Sequence, residues 1–264
     1  MLLTRALGGV PSLARALRSR PGAIVFLTVP DGAIASFAGQ IAAAGGLPQT
    51  AAFVHCSGAL GLGALDSLGR HALGSFHPLQ SFPTPRAPEA FRGSLVAIDA
   101  TTATLRRRLE RLARDLGARP RSVAEAERVV YHAAAVFASN YLVALAGEAV
   151  ELLGTIGWTE REAVDGLVPL MQGALAEVAR RGPTAALTGP IRRGDVETVT
   201  RHLEALGRLD SRAARGRPRK ADVYRMLGAI ALEIATRAGL EPAATGRVSR
   251  ALTRNVAATR RSRR

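Results

Sequence analysis

The sequence has one cysteine, one lysine and few aromatic residues, and each shortage excludes something. With Cys56 alone there is no intramolecular disulfide and no cysteine-based metal centre, which points to a reducing, cytoplasmic compartment. Lys220 is the only lysine, so the formal net charge of +15 is carried almost wholly by arginine. A nucleic-acid binder and an arginine-biased, alanine-rich coding sequence both produce that balance. No nucleic-acid recognition motif is present, and the basic runs have no aromatics between them, so no nucleic-acid partner is expected. Aromatics at 4% leave a core of Ala, Leu and Val, which suits close-packed helices and a small sheet better than a large β-sandwich. Long apolar runs are also lacking. The longest region, 133–153, is broken by Ser139, Asn140, Gly147, Glu148 and Glu151. It falls short of the roughly 18 uninterrupted apolar residues of a membrane span. The Arg-rich opening MLLTRALGGVPSLARALRSR has no apolar core of signal-peptide length.

What is present is an alternation of short apolar runs and helical stretches. Ala23–Val29 is a continuous, β-branched run stopped by Pro30-Asp31-Gly32, which predicts a buried strand and then a helix over Ala33–Ala43 with Asp31 as its cap. Strands are expected at Ala52–His55, Ala72–Phe76, Ser94–Ile98 and Arg119–Val123, with helices near Leu62–Leu68 and over Thr101–Leu116. Strand alternating with helix predicts an α/β layer with a mostly parallel sheet. After about residue 125 only helical signals remain. One long helix is expected over Glu127–Ile156. A second covers Thr159–Arg181, opened by a Thr159/Glu162 capping box, with others over Asp195–Leu206 and Ala221–Ala238. The expected domains are therefore 1–124, an α/β layer, and 125–240, all-helical. A basic tail, 241–264, follows.

Ligands in open α/β sheets bind beyond the carboxyl ends of the strands. Three short polar segments lie there: Val29-Pro30-Asp31, His55-Cys56-Ser57-Gly58 and Ser75-Phe76-His77-Pro78-Leu79-Gln80. His77 can donate to or protonate a carbonyl near neutral pH, or it can simply cap the turn before Pro78. His55, on a strand, is at least as readily a satisfied core histidine. His132, Val136 and Asn140 recur every four residues, so His132 and Asn140 either flank a small substrate or sit in a helix contact. The loop Thr188-Gly189-Pro190-Ile191-Arg192-Arg193-Gly194-Asp195 offers guanidinium donors for an anion, or is a connector that Asp195 ends by capping the next helix.

Six motifs occur in order: VPDGAI, VHCSGAL, SFHPLQSF, YHAAAVFASNYLVAL, LVPLMQGAL and ALTGPIRRGDVETVTRHLEAL. Together they closely resemble a family that joins a Rossmann-like domain to a C-terminal domain of unknown function, DUF2520. That family is similar to the β-hydroxyacid, ketopantoate and pyrroline-carboxylate reductases. The resemblance implies a Rossmann-like sheet followed by a helical domain like that of 6-phosphogluconate dehydrogenase. It also implies NADP or NAD as cofactor, hydride transfer to a small oxo acid or imine, and a homodimer built on the helical domain. The His77-Pro78-Leu79 turn is similar to the His-Pro turn of prephenate-type dehydrogenases, and Asn140 resembles the helix asparagine of the hydroxyacid dehydrogenases. The lysine those enzymes carry four residues earlier is Val136 here, which shifts attention to His132. The expected site is thus His77, His132 and Asn140 for catalysis; Thr188, Gly189, Pro190, Arg192, Arg193 and Asp195 for substrate; and Val29, Pro30, Asp31, Ser57 and Gly58 for cofactor. One departure stands out. No strand leads into a G-x-G-x-x-G turn, and Gly8-Gly9 lacks that spacing. The expectation is an N-terminally truncated Rossmann half with impaired cofactor binding, and the alternative is a non-catalytic scaffold that keeps the helical dimer.

Overall fold

The computed structural model describes residues 10–212 and 219–254. The chain divides into two compact units, Met1–Val143 and Ala144–Arg264. The expected tail Arg260–Arg264, the glycines Gly8-Gly9 and the middle of the charged loop 211–220 lie outside the described residues.

The first unit is built on a five-stranded sheet in sequential order: β1 (Ile24–Leu27), β2 (Ala52–His55), β3 (Ala72–Pro78), β4 (Leu95–Ala100) and β5 (Arg119–Ser122). Three of its four pairings are parallel; β3 and β4 are antiparallel. The exception has a chain-level cause. Parallel neighbours need a crossover, usually helical. The β3–β4 connection, SFPTPRAPEAF, is too rich in proline for a helix and holds only a 3₁₀ turn, Pro88–Phe91. By contrast α2 (Asp31–Ala44) links β1 to β2, and α3 (Ala103–Asp115) links β4 to β5.

The two faces of the sheet carry separate cores. On one, Leu27, Phe53 and Leu73 pack with Ile34 and Ile41 of α2, with Leu65 and Leu68 of the 3₁₀ segment Leu62–Leu68, and with Leu13 and Leu17 of α1 (Val10–Arg18). On the other, Val54, Phe76, Val96 and Ile98 pack against Leu105, Leu109 and Ala113 of α3. Thr102 caps α3 by accepting from the Leu105 amide, as the Thr101 start predicts to within a residue. Gly74 is required for that second core: a Cβ there would lie 3.0 Å from Leu109 and 3.2 Å from the Asp99 carbonyl. Pro120 is tolerated in β5 because the strand is at the sheet edge.

The single long helix expected over Glu127–Ile156 is not formed. It is two helices, α4 (Arg128–Ala138) and α5 (Asn140–Gly154), interrupted at Ser139 with φ −118° and ψ −71°. Ser-Asn is a pair whose side chains compete for local backbone partners, which weakens a helix at that point. The expected domain boundary at 124/125 moves to 143/144, because α4 is tied to the sheet through Arg128 and Tyr131 (below). The stretch Glu125–Gly154 is long and apolar enough to cross a membrane by length and composition, with a mean hydropathy of 1.5. Its first turn nevertheless carries the fully buried Arg128.

The second unit is helical. α6 (Glu160–Ala186) opens on the expected capping box: Thr159 accepts from the Glu162 amide, and the Glu162 carboxylate accepts from the Thr159 amide at 2.8 Å. It kinks at Gly182 (φ 75°), just before Pro183. The short α7 (Gly189–Arg193) follows, then α8 (Val196–Asp210), α9 (Lys220–Arg237) and α10 (Pro242–Thr253). The last occupies half of the expected basic tail: Ala244, Val248 and Leu252 turn one face of it into the core formed with Val199, Leu203 and Leu232. Asp210 caps α9 at a distance, its carboxylate accepting from the Lys220 and Ala221 amides at 2.8 and 3.0 Å. The lone lysine binds Glu148 and Glu151 at 2.8 and 3.1 Å.

Candidate active site

Side chains alternate along a strand. Phe53 and Leu73 face the core under α2, so His55, Ser75 and His77 point to the same side, nearer the carboxyl ends. One sheet face thus changes from apolar to polar just where a ligand would be expected. α4 lies over this polar end. Arg128, Tyr131 and His132 share one face of it by their three- and four-residue spacing. The Arg128 guanidinium donates to the Ser75 hydroxyl in a short contact, and the Tyr131 hydroxyl lies 2.9 Å from His77 Nδ1. The His77 and His132 rings are 6.1 Å apart, centre to centre, and close to perpendicular at 72°.

Gly58 closes the cluster. A Cβ on it would stand 2.7 Å from His132 Nδ1 and 2.8 Å from His77 Nε2. Only hydrogen fits between the turn and the two imidazoles. Asp31 and Ser57 form the neighbouring polar link, with the Ser57 hydroxyl donating to Asp31 at 2.6 Å and accepting from the Ala59 and Leu60 amides. Asp31 is therefore not the cap of α2; Pro30 occupies that position and no side chain caps the helix.

Burial governs the protonation states. His77 is pushed down to about 4, first by loss of water, then by His132 and Arg128; Asp31 pulls the other way and His55 adds to the fall. It is neutral at physiological pH. Burial raises the Tyr131 phenol, so its proton stays on. When that hydroxyl donates to Nδ1, His77 is the Nε2–H tautomer, with its N–H on the Gly58 side; when Nδ1–H donates instead, Nε2 is the free acceptor there. His55 is fully buried with both nitrogens used: Nδ1 accepts from the Ser57 amide and Nε2 donates to the Gly61 carbonyl. It is a satisfied core histidine. Burial lifts the Cys56 thiol to about 11, which keeps it unreactive.

The expected residues divide as follows. His77, His132 and Gly58 come together, with Asp31 and Ser57 beside them. Val29 packs on the apolar core and Pro30 starts α2. Asn140 does not join the cluster: it is exposed, follows the break at Ser139, and makes no side-chain hydrogen bond among the described residues. The residues Thr188–Asp195 belong to the second unit. There Thr188, Gly189, Arg192 and Arg193 line a surface hollow of about 660 Å³ with Arg181 and Glu241. Pro190 begins α7, and Asp195 caps α8 through the Thr198 amide and hydroxyl. Arg192 donates to the Ala238 carbonyl at 3.0 Å. Sequence reasoning gave no role to Arg128 or Tyr131 and placed Ser75 only as the start of a polar segment. The available signal was the shared helix face of Arg128, Tyr131 and His132, which the His132/Val136/Asn140 series overshadowed.

The sheet and the helices that cover it define a Rossmann-like α/β fold. The chain belongs to the family described as domain of unknown function (DUF2520), whose profile matches residues 94–231. No curated protein matches the sequence. A Bacteroides fragilis protein assigned as an NADP oxidoreductase is 24% identical, with 81% of this chain and 75% of that one covered at a TM-score of 0.64. Protein TM1727 of Thermotoga maritima is 23% identical, with 87% and 88% covered at 0.67. Plasmodium falciparum pyrroline carboxylate reductase with NADP bound is 9% identical, with 87% and 77% covered at 0.49.

Proposed function

We propose that the chain is a nicotinamide-dependent reductase of a C=O or C=N bond in a small molecule, with His77 as the group that hydrogen-bonds and protonates the reacting oxygen or nitrogen. The observation that carries this reading is the neutral His77 held by Tyr131, its Nε2 beside Gly58 and His132, at the carboxyl edge of a Rossmann-like sheet. The nicotinamide, when bound, supplies the hydride; the chain supplies the proton and the alignment. The fit for the dinucleotide is partial. The N-terminus of α2 does not suit a pyrophosphate, since Asp31 already places a carboxylate in its first turn. Ser57 is committed to Asp31 and to its own turn. The proton-handling cluster suits the reducing end. Tyr131 is a positioning residue that sets the His77 tautomer, and His132, its Nδ1 buried without a partner, is available to the substrate.

The test is titration of the full chain with NADPH, then NADPH oxidation against a panel of small oxo acids and cyclic imines. Turnover is expected, and His77→Gln should lower kcat about 100-fold while leaving NADPH affinity unchanged. Absence of binding at millimolar NADPH overturns the reading and favours a scaffold role.

A homodimer in the cytoplasm is part of the same proposal. Large apolar side chains stand exposed on α4 and α5 (Val129, Val130, Phe137, Val143) and, in the second unit, on α6 and α9 (Leu170, Leu175, Met226). Exposure of this kind marks a surface that a partner covers. Sedimentation equilibrium should give twice the chain mass at micromolar concentration; a monomer there rejects the dimer.

A further inference from the structure

Arg128 is the most unusual side chain in the first unit. It is 0% exposed and is the largest fully buried residue described. Among the described residues its side chain makes one hydrogen bond, from Nη2 to Ser75, which leaves Nε and both hydrogens of Nη1 buried and unused. No carboxylate stands within ion-pair distance of it among the described residues. Asp99, opposite Ser75 in the sheet, is engaged by Arg106 at 3.0 Å. Asp99 first, and then Glu125, act on Arg128 only from beyond ion-pair distance, and the Glu125 side chain lies against Gly61. The other ionisable neighbours are the Tyr131 phenol, raised by burial so that it keeps its proton, and the imidazoles His55 and His77, which supply no negative charge. A guanidinium that keeps its charge, is out of water and lacks a counter-ion is costly, and native chains retain one where a ligand completes it.

We propose that Arg128 is the receptor for a carboxylate of the substrate, so that the site takes a small 2-oxo acid or its imine and rejects neutral carbonyl compounds. This inference rests on the reductase reading of the same site. The spacing supports it. Ser75, which holds the guanidinium, and His77 are two residues apart on one face of β3, roughly 7 Å along the strand. Two hydrogen bonds of about 2.9 Å each, plus the short step from a carboxylate to an adjacent oxo oxygen, span that length. The planar fork of arginine matches a carboxylate in a way a single ammonium does not. His132 Nδ1, also buried and unpartnered, adds a second free polar atom at the same end of the sheet.

The experiment measures binding to the full chain, without nicotinamide, by calorimetry and thermal melting. The probes are oxalate, its uncharged analogue oxamide, and inorganic phosphate. Oxalate should bind saturably and raise the melting temperature, while oxamide should not. Arg128→Lys should weaken oxalate at least tenfold. Arg128→Met should abolish oxalate binding and, with no buried cation to satisfy, melt no lower than the parent when anion is absent. Arg180→Met, an exposed arginine paired with Glu177 on α6, should bind oxalate like the parent. The inference is overturned by no oxalate binding in the parent, by an equal response to oxamide, or by equal oxalate binding in Arg128→Lys. Binding of phosphate but not oxalate, lost on substitution of Arg128, overturns the carboxylate assignment. If Arg128→Met fails to fold, the Lys variant carries the decision. The two readings fail separately: intact oxalate binding with no NADPH binding rejects only the reductase, and NADPH turnover untouched in Arg128→Lys rejects only the receptor.

Discussion

Gly58→Ala is expected to destabilise the chain by about 1–3 kcal/mol, the range for forcing a methyl into a filled space, and to abolish reductase turnover. The direction follows from the space available. The new methyl would sit 2.7 Å from His132 Nδ1 and 2.8 Å from His77 Nε2, well inside van der Waals contact. Neither ring is free to swing away. His77 is held by Tyr131 at Nδ1 and stacked edge-on against its ring at 5.5 Å. His132 is fixed on α4, whose first residue is anchored to Ser75. The backbone of the turn has little freedom either, because Ser57 ties it to Asp31 and to two amides of its own. Urea denaturation measures the stability loss. A second variant separates crowding from a general intolerance of the turn: Gly58→Ala with His132→Ala should recover at least half of the loss, since it removes one of the two clashing rings. No recovery, or a fully stable Gly58→Ala, would show that the turn is not packed against the imidazoles.

The strands were legible because each is a short apolar run bounded by a turn, and Ala52–His55 matches its element residue for residue. The caps at Thr159 and Asp195 were legible because their side chains act within three residues of sequence. What was lost depends on contacts across the chain. Nothing local in Arg128 separates it from the exposed arginines around it; its burial is set by Ser75, on a strand far upstream. The break at Ser139 is a one-residue departure inside an otherwise continuous apolar pattern, and hydrophobic periodicity does not resolve it. The pairing of β4 against β3 follows from the prolines of the connection, a breaker signal that was present but not converted into a strand direction. His77 and His132 were both singled out from turn and helix positions. That they face each other over Gly58 depends on how α4 lies on the sheet.

Acid should unfold the protein over the range in which most histidines are harmless. The cause is His77, whose folded-state value of about 4 lies well below the ordinary 6.5. Between those values the unfolded chain binds a proton that the folded chain refuses, so unfolding takes up protons and stability rises with pH. The contribution is fully present above about 6.5 and is lost as the pH falls towards 4. A difference of this size corresponds to roughly 3 kcal/mol, against a typical total of about 5–15 kcal/mol for a domain. His55, also lowered by burial, acts in the same direction. The groups that face His77 define the controls. His77→Gln should flatten most of the slope between pH 6.5 and 4, because no proton is refused. His132→Ala should raise the His77 value, since a neighbour that opposes its charge is removed, and so narrow the window and shrink the loss of stability. Removing the Asp31 carboxylate with Asp31→Asn should deepen the fall, because Asp31 favours the charged imidazole. Carboxylates held low by local partners, such as Glu162 and Asp195, are common to all these variants and cancel in the comparison. Urea midpoints at half-unit pH intervals, with NMR titration of the His77 ring carbon protons, measure both sides of the linkage. A His77 resonance that titrates near 6.5, or a stability profile of His77→Gln that parallels the parent, would mean that the imidazole is not held neutral by its burial beside Arg128 and His132.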